Sequence, residues 1–445
     1  EKQLCLSGIT MNSHMKCSME RLECHFNWDL GCNKHKFKEL QRNMQDIEPQ
    51  GIAWLVHYYN LLGFIQKSLG SDKEALESLQ KAESVIQEQG TEETAVRLQV
   101  NKANLAWVYF HLGELEKSRG YLEELEELQR IHPAPPGCPL HPEVSGEKGW
   151  TLVKFNKSKK HKAIDYFKMA LEAEPEREEW HKGLALAMNM AFIDTEQTPE
   201  LKAEILEKVK TAAEIDPNDL FLQSLYVLKK SEVKGENVDE EIQSLLEKSI
   251  ETKNPSGLSS IFYYYRNNST EKGFYEGERV RKHFPTSTKV LKIVANLHKW
   301  KVYNMKADTE QRENLARKSI ELFEELLTHY PDHLKVKLAL ASLHEYAHNT
   351  EKANEIYQQL LSEIDDAMPH HRRQQLYYYY ASFLYHSRSR HSRDSVFFYM
   401  KAAAVPEMTG RRQKSIKILE KIISRGRDPR CAEIQHFLEG LVNSD

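Results

Sequence analysis

The stretch HYYNLLGFIQKSLGSDKEALESLQKAESVI, residues 57–86, places apolar residues at helical spacing, stops at Gly70, and resumes helical spacing after it. NLAWVYFHLGELEKSRGYLEEL, residues 104–125, repeats the pattern with its break at Gly113. Small residues fall twelve positions apart across each break: Gly63 with Ala75, Ala106 with Ser118, and further on Ala341 with Ala353. Two helices cross closely only where both lack a large side chain, so these pairs predict tight helix hairpins. Pro175, Pro217, Pro285 and Pro331 follow second-helix patterns at the distance expected of a helix stop.

This frame resembles the tetratricopeptide repeat, a hairpin unit of ~34 residues. About nine such pairs can be placed, beginning near residues 52, 94, 146, 178, 219, 256, 287, 333 and 372. Strand alternation is absent, and glycine (19) and proline (15) are scarce for 445 residues. The expected fold is all-α, a superhelical solenoid of tetratricopeptide-like helix hairpins. The expected organisation is a flexible N-terminus (1–20), N-terminal repeats (21–130) and a Pro/Gly-rich connector (131–146). Central repeats forming a groove (147–286), a long-helix pivot pair (287–331) and basic C-terminal repeats (332–445) follow.

With 40% hydrophobic and 29% charged residues, the chain can bury a large core, and no apolar run approaches the ~18 residues of a membrane span. Six cysteines without a C-x-x-C pair, and no secretion signal, point to a reducing, cytoplasmic setting. Net charge is −4, yet residues 370–430 hold fourteen Lys or Arg against four Asp or Glu. That basic region is a candidate footprint for a polyanion, though a solvated helix face has the same composition. No phosphate loop, nucleophile elbow or metal signature is present, which argues against an enzyme and against a cofactor. The tyrosines of FYYYR and QLYYYYASFLY point several ways around a helix, so most belong to hairpin cores.

In EKGWTLVKF, residues 147–155, Trp150 and Lys154 lie on one helix face. With a two-residue allowance in the following turn, Gly149 becomes the small position of the third hairpin, and Trp150 and Lys154 line the concave groove. The same count puts Arg266 in the groove from the sixth hairpin. An aromatic ring beside cations suits a nucleotide. Repeat grooves also hold peptides, and periodicity with charge alone favours that reading.

LECHFNWDL (22–30), NLAWVYFHLGELEKS (104–118) and EKGWTLVKF look like three signatures of the interferon-induced proteins with tetratricopeptide repeats, the IFIT family. The resemblance implies a non-catalytic antiviral protein of the cytoplasm. Its partner would be the 5′ end of single-stranded RNA, carrying a triphosphate or a cap lacking ribose 2′-O-methylation, held in a basic tunnel so that translation is blocked. Related family members or other immune proteins are further implied partners, and no membrane. By position, Arg42 matches an arginine gripping the terminal phosphates and Trp150 the tryptophan that cradles the cap guanine. Lys154 matches a phosphate-binding lysine, and Arg266 an arginine of the tunnel wall. Lys292 replaces a tunnel histidine, Lys38 an acidic residue and Lys160 an aromatic. Met190, Ser256 and Ser259 stand where the family carries larger polar groups. Lys160, Lys335, Arg372, Arg373 and Arg388 are further candidates for contact with an RNA backbone.

Overall fold

The structure, a computed structural model, describes residues 15–31, 33–45, 51–89, 92–193, 197–305, 310–365, 368–386, 392–406 and 409–442. Residues 1–14 of the segment expected to be flexible lie outside these. Among the described residues there is no strand. Helix α1 (Lys34–Gln45) precedes a first hairpin, α2 (Gly51–Leu69) and α3 (Asp72–Gln89). Then come α4 (Leu98–His111) with α5 (Leu115–Ile131), α6 (Pro142–Leu152) with α7 (Lys157–Ala173), and α8 (Glu178–Ala191) with α9 (Pro199–Ile215). The series continues with α10 (Leu220–Lys234) and α11 (Asp239–Glu251), α12 (Leu258–Asn268) and α13 (Thr270–His283), and α14 (Thr288–Asn304) and α15 (Glu310–His329). It ends with α16 (Leu334–Tyr346) and α17 (Thr350–Ser362), α18 (His370–His386) and α19 (Ser392–Ala404), and α20 (Gly410–Arg425) and α21 (Cys431–Val442). Most helices pack on their hairpin partner, and most second helices pack on the first helix of the next hairpin. This is a tetratricopeptide-like helical solenoid.

The breaks behave as the residues dictate. Gly70 and Gly113 turn the chain with φ of 92° and 77°, a region that a Cβ disfavours. Helices α7, α9, α13 and α15 each stop two residues before their proline. Helix α6 begins at Pro142, inside the stretch expected to be connector. Proline costs nothing in a first turn, where its missing N–H has no acceptor to lose, and His141 Nδ1 accepts from the Glu143 amide at 3.2 Å.

The small-residue frame is the hairpin packing itself. Ser118 Oγ donates to the Ala106 carbonyl at 2.8 Å across the second hairpin. A Cβ on Gly149 of α6 would come within 2.9 Å of the Phe167 ring on α7, and one on Gly183 of α8 would overlap that ring from the other side. Phe167, fully buried, therefore ties three successive helices together. Gly149 does occupy the small position, so the frame with its two-residue allowance describes this hairpin.

Two compact units emerge, residues 1–264 and 265–445, the division falling within α12. In the first, one core runs from Trp28 and Phe37 through Phe167 and Trp180 to Leu225. In the second, separate cores follow hairpin by hairpin, around Phe323, Tyr357 and Tyr399.

Candidate functional site

In the first unit, the first helices of three hairpins carry polar residues in stripes at helical spacing: His57 and Asn60 on α2, Asn101 and Asn104 on α4, Glu147 and Thr151 on α6. These meet in a buried seam. Asn101 donates to Asn60 Oδ1 at 2.8 Å, and Asn60 donates to Glu147 Oε1 at 2.9 Å. His25 joins the other end: its ring meets Asn104 at 3.0 Å through Nδ1 and Thr151 at 3.1 Å through Nε2. An asparagine amide donating to Nδ1 requires Nε2 to carry the proton, so the ring is neutral.

The seam holds its ionisable groups uncharged. Burial, reinforced by the Lys154 charge and opposed by the Asn104 bond, takes His25 down to about 3. Burial, then Arg97 and Lys154, hold His57 well below the usual histidine range. Burial lifts the Glu147 carboxyl to about 8 against the pull of Asn60 and Arg97. The His57–Glu147 contact of 3.9 Å is thus one between neutral groups, not an ion pair. Farther along, Arg97 is matched by carboxylates, with Glu143 at 3.1 Å and Glu179 at 3.4 Å.

Lys154 follows the C-terminal turn of α6. Its Nζ donates to the Trp150 carbonyl at 2.8 Å and lies 5.8 Å from the centre of the Trp150 ring. Deep placement lowers its ammonium to about 8, while part of its surface stays accessible. Trp150 is less open than its groove position suggests. The ring is 8% exposed, sits in the main core and meets Phe167 edge-on at 5.3 Å. One of its faces lies under Lys154; the rest is packing.

Arg42 is half-buried on α1, which packs through Phe37 against Phe64 at 5.6 Å and Phe155 at 6.4 Å, the latter next to Lys154 in sequence. Lys160 is half-exposed on α7, and Lys38 is exposed on α1. Met190 fills space at the edge of the main core.

The second unit has its own basic stripe. Lys289, Lys292, Asn296, Lys299 and Tyr303 follow one another along one face of α14. Burial brings Lys289 and Lys299 each to about 8, and the charges of Lys335 on α16 and Arg266 on α12 press Lys299 in the same direction. Arg266 and Lys335 are thereby gathered around Lys299, a residue that the sequence reading passed over. Its signal was the spacing from Lys292, two helical turns before it. Lys292 is exposed, 5.8 Å from the centre of the Tyr330 ring. Arg373 donates to the Asp365 carbonyl at 2.8 Å, and Arg412, 2% exposed, donates to the Ala403 carbonyl at 2.9 Å. These two members of the basic C-terminal region are anchors of the fold. Arg372 is half-exposed, and Arg388 lies outside the described residues. Among the described residues no cluster of His, Cys, Asp or Glu could hold a metal ion, and no helix is long and apolar enough to cross a membrane.

Residues 56–88 match the tetratricopeptide repeat model, and residues 289–394 match a model of the FemAB family. The second match spans helices that continue the hairpin series. The chain is 26% identical over 430 residues to the human antiviral innate immune response effector IFIT1, covering 92% of this chain and 88% of that protein. Over nine-tenths of its length the chain is similar to a member of the IFIT family. Human IFIT1 solved as a dimer with PPP-AAAA superimposes with a TM-score of 0.69 at 24% identity, covering 96% of this chain and 95% of that one. The same protein with m7Gppp-AAAA gives 0.65 at 23%, covering 96% and 99%. At that identity the structural likeness is one of fold.

The structure shows why the first and third of the IFIT-like signatures occur together. Within LECHFNWDL, Glu23 accepts from Trp28 Nε1 at 2.7 Å and from Lys148 at 2.8 Å. Asp29 pairs with Lys159 at 2.5 Å, and His25 reaches Thr151. The segment is a clasp over α6 and α7, and it fixes the turn from which Lys154 projects.

Proposed function

We propose that this protein binds the 5′ end of single-stranded RNA, bearing a triphosphate or a cap without 2′-O-methylation, and by sequestering it blocks translation without catalysing a reaction. The observation that carries the reading is the setting of Lys154. It is a deeply placed cation whose seam neighbours His25, His57 and Glu147 are all held neutral, so the seam presents positive charge at that point. A 5′ phosphate supplies the negative charge such a site favours. Similarity to human IFIT1, which has been solved with PPP-AAAA and m7Gppp-AAAA, supports the same ligand class. Arg42 serves the phosphates beside Lys154, and the Lys154-covered indole of Trp150 borders the terminal nucleotide. Arg266, Lys292 and Lys335 serve the RNA backbone in the second unit, with Lys160 and Arg372 as outlying contacts.

The test is the salt dependence of binding. Affinity for 5′-triphosphate RNA falls steeply with salt, and Lys154→Met flattens the log–log slope by about 0.7, one phosphate contact on a single strand. Lys154→Glu weakens binding further. An unchanged slope and affinity in folded Lys154 variants, checked by thermal melting, refutes the assignment.

A further inference from the structure

The second unit contains a cavity of about 880 Å³, within the size range of ligand sites, that the candidate site above does not use. Its wall includes Tyr303 from the end of α14, Glu345 and Tyr346 from the end of α16, and Tyr379 from α18. Arg312 and Lys414 also line it, as do Glu310 and Glu313. The Tyr303 and Tyr346 rings are 5.1 Å apart, and Arg312 covers Tyr346 at 4.2 Å. Tyr303 stands one helical turn beyond Lys299, and Tyr346 stands three turns beyond Lys335. The basic stripe of α14, with Lys335 of α16 beside it, therefore runs on into an aromatic chamber. Cations that track a backbone, followed by rings that accept a base, are the parts of a single-strand site.

Glu345 gives the chamber a chemical preference. Its side chain is partly buried, and no described residue hydrogen-bonds its carboxylate. Burial raises the carboxyl to about 7, while His386 and Arg312 favour the ionised form. An ionised carboxylate in such a place calls for a ligand with paired N–H donors. Guanine offers two, N1–H and the N2 amino group, spaced to meet both oxygens. Adenine and cytosine set an acceptor beside their amino group and suit the protonated acid instead.

We propose that this cavity is a base-binding subsite of the second unit, in which a guanine of single-stranded RNA stacks against Tyr303, Tyr346 and Tyr379 and donates N1–H and N2–H to Glu345. The assignment rests on the RNA-binding reading and adds a base preference at an internal position of the strand.

The experiment uses 5′-triphosphate oligouridylates, each with one guanosine at a successive internal position, so that the register declares itself. Wild type gains about tenfold in affinity at one position, as a bidentate base contact provides. That gain disappears in Glu345→Gln and in Tyr379→Ala, while all-uridine RNA binds Glu345→Gln as it binds wild type. No favoured guanosine position, a gain that survives Glu345→Gln, or adenosine favoured in its place overturns the proposal. Failure of wild type to bind any triphosphate RNA removes the underlying reading instead. Ligand-observed NMR with guanosine 5′-monophosphate then decides the cavity: contact seen in wild type alone sustains it, and equal or absent contact overturns it.

Discussion

Glu147 shows how much one residue of EKGWTLVKF does. Its carboxyl stays protonated to about 8 in the folded chain, whereas in the unfolded chain it ionises above 4.5. The stability it contributes is therefore complete below pH 4.5 and drains as pH rises to about 8. His25 acts in the opposite sense. It is neutral down to about 3 when folded but takes up a proton below 6.5 when unfolded, so acidification from 6.5 towards 3 drains stability. Glu147→Gln keeps the shape and removes only the first effect. Urea unfolding across pH should show the variant gaining on wild type between about pH 5 and 8, by an amount on the order of a few kcal/mol. Parallel profiles contradict the buried-acid assignment. None of this was legible in sequence, because the partners of His25 lie 79 and 126 residues away. Trp150 marks the same limit. Its position count placed it along the groove, whereas contact with Phe167, which only the folded hairpin supplies, makes most of the ring core.

At the scale of the element, the hairpins were readable because their signals are local: apolar spacing, a glycine at the turn, a proline past the end, and small residues at a fixed separation. Those small residues carry a prediction. Gly183→Ala drives a Cβ into Phe167, which is pinned by Gly149 on its other side, and should cost about 1–3 kcal/mol. Gly120→Ala, in a helix with nothing within 4 Å of the new Cβ, should stabilise by roughly 0.5–1 kcal/mol. Paired denaturant midpoints check both, and equal effects at the two sites contradict the close-packing frame. The start of α6 was hidden for a local reason too. A run of prolines reads as connector, although Pro142 is compatible with a first helical turn. Lys299 went unnoticed because its lowered pKa comes from burial and from Arg266 and Lys335, which lie on two other hairpins.

For the whole molecule, a net charge of −4 conceals two separate basic settings, around Lys154 in the first unit and around Lys299 in the second. In sequence, the excess of Lys and Arg near the C-terminus is a candidate polyanion footprint or a solvated helix face. The structure spends part of it on the fold, through Arg373 and Arg412. In the proposed function the terminal phosphates fall to a deep cation, Lys154, where water competes least for a phosphate. Affinity should accordingly depend on the charge of the RNA terminus more than on strand length.

The measurement that bears most directly on this is a competition among triphosphate, monophosphate, hydroxyl and capped forms of one short RNA for the purified protein. The account predicts that the triphosphate, or the cap lacking 2′-O-methylation, displaces bound RNA at the lowest concentration and the hydroxyl form at the highest. Four equal competitors would contradict it.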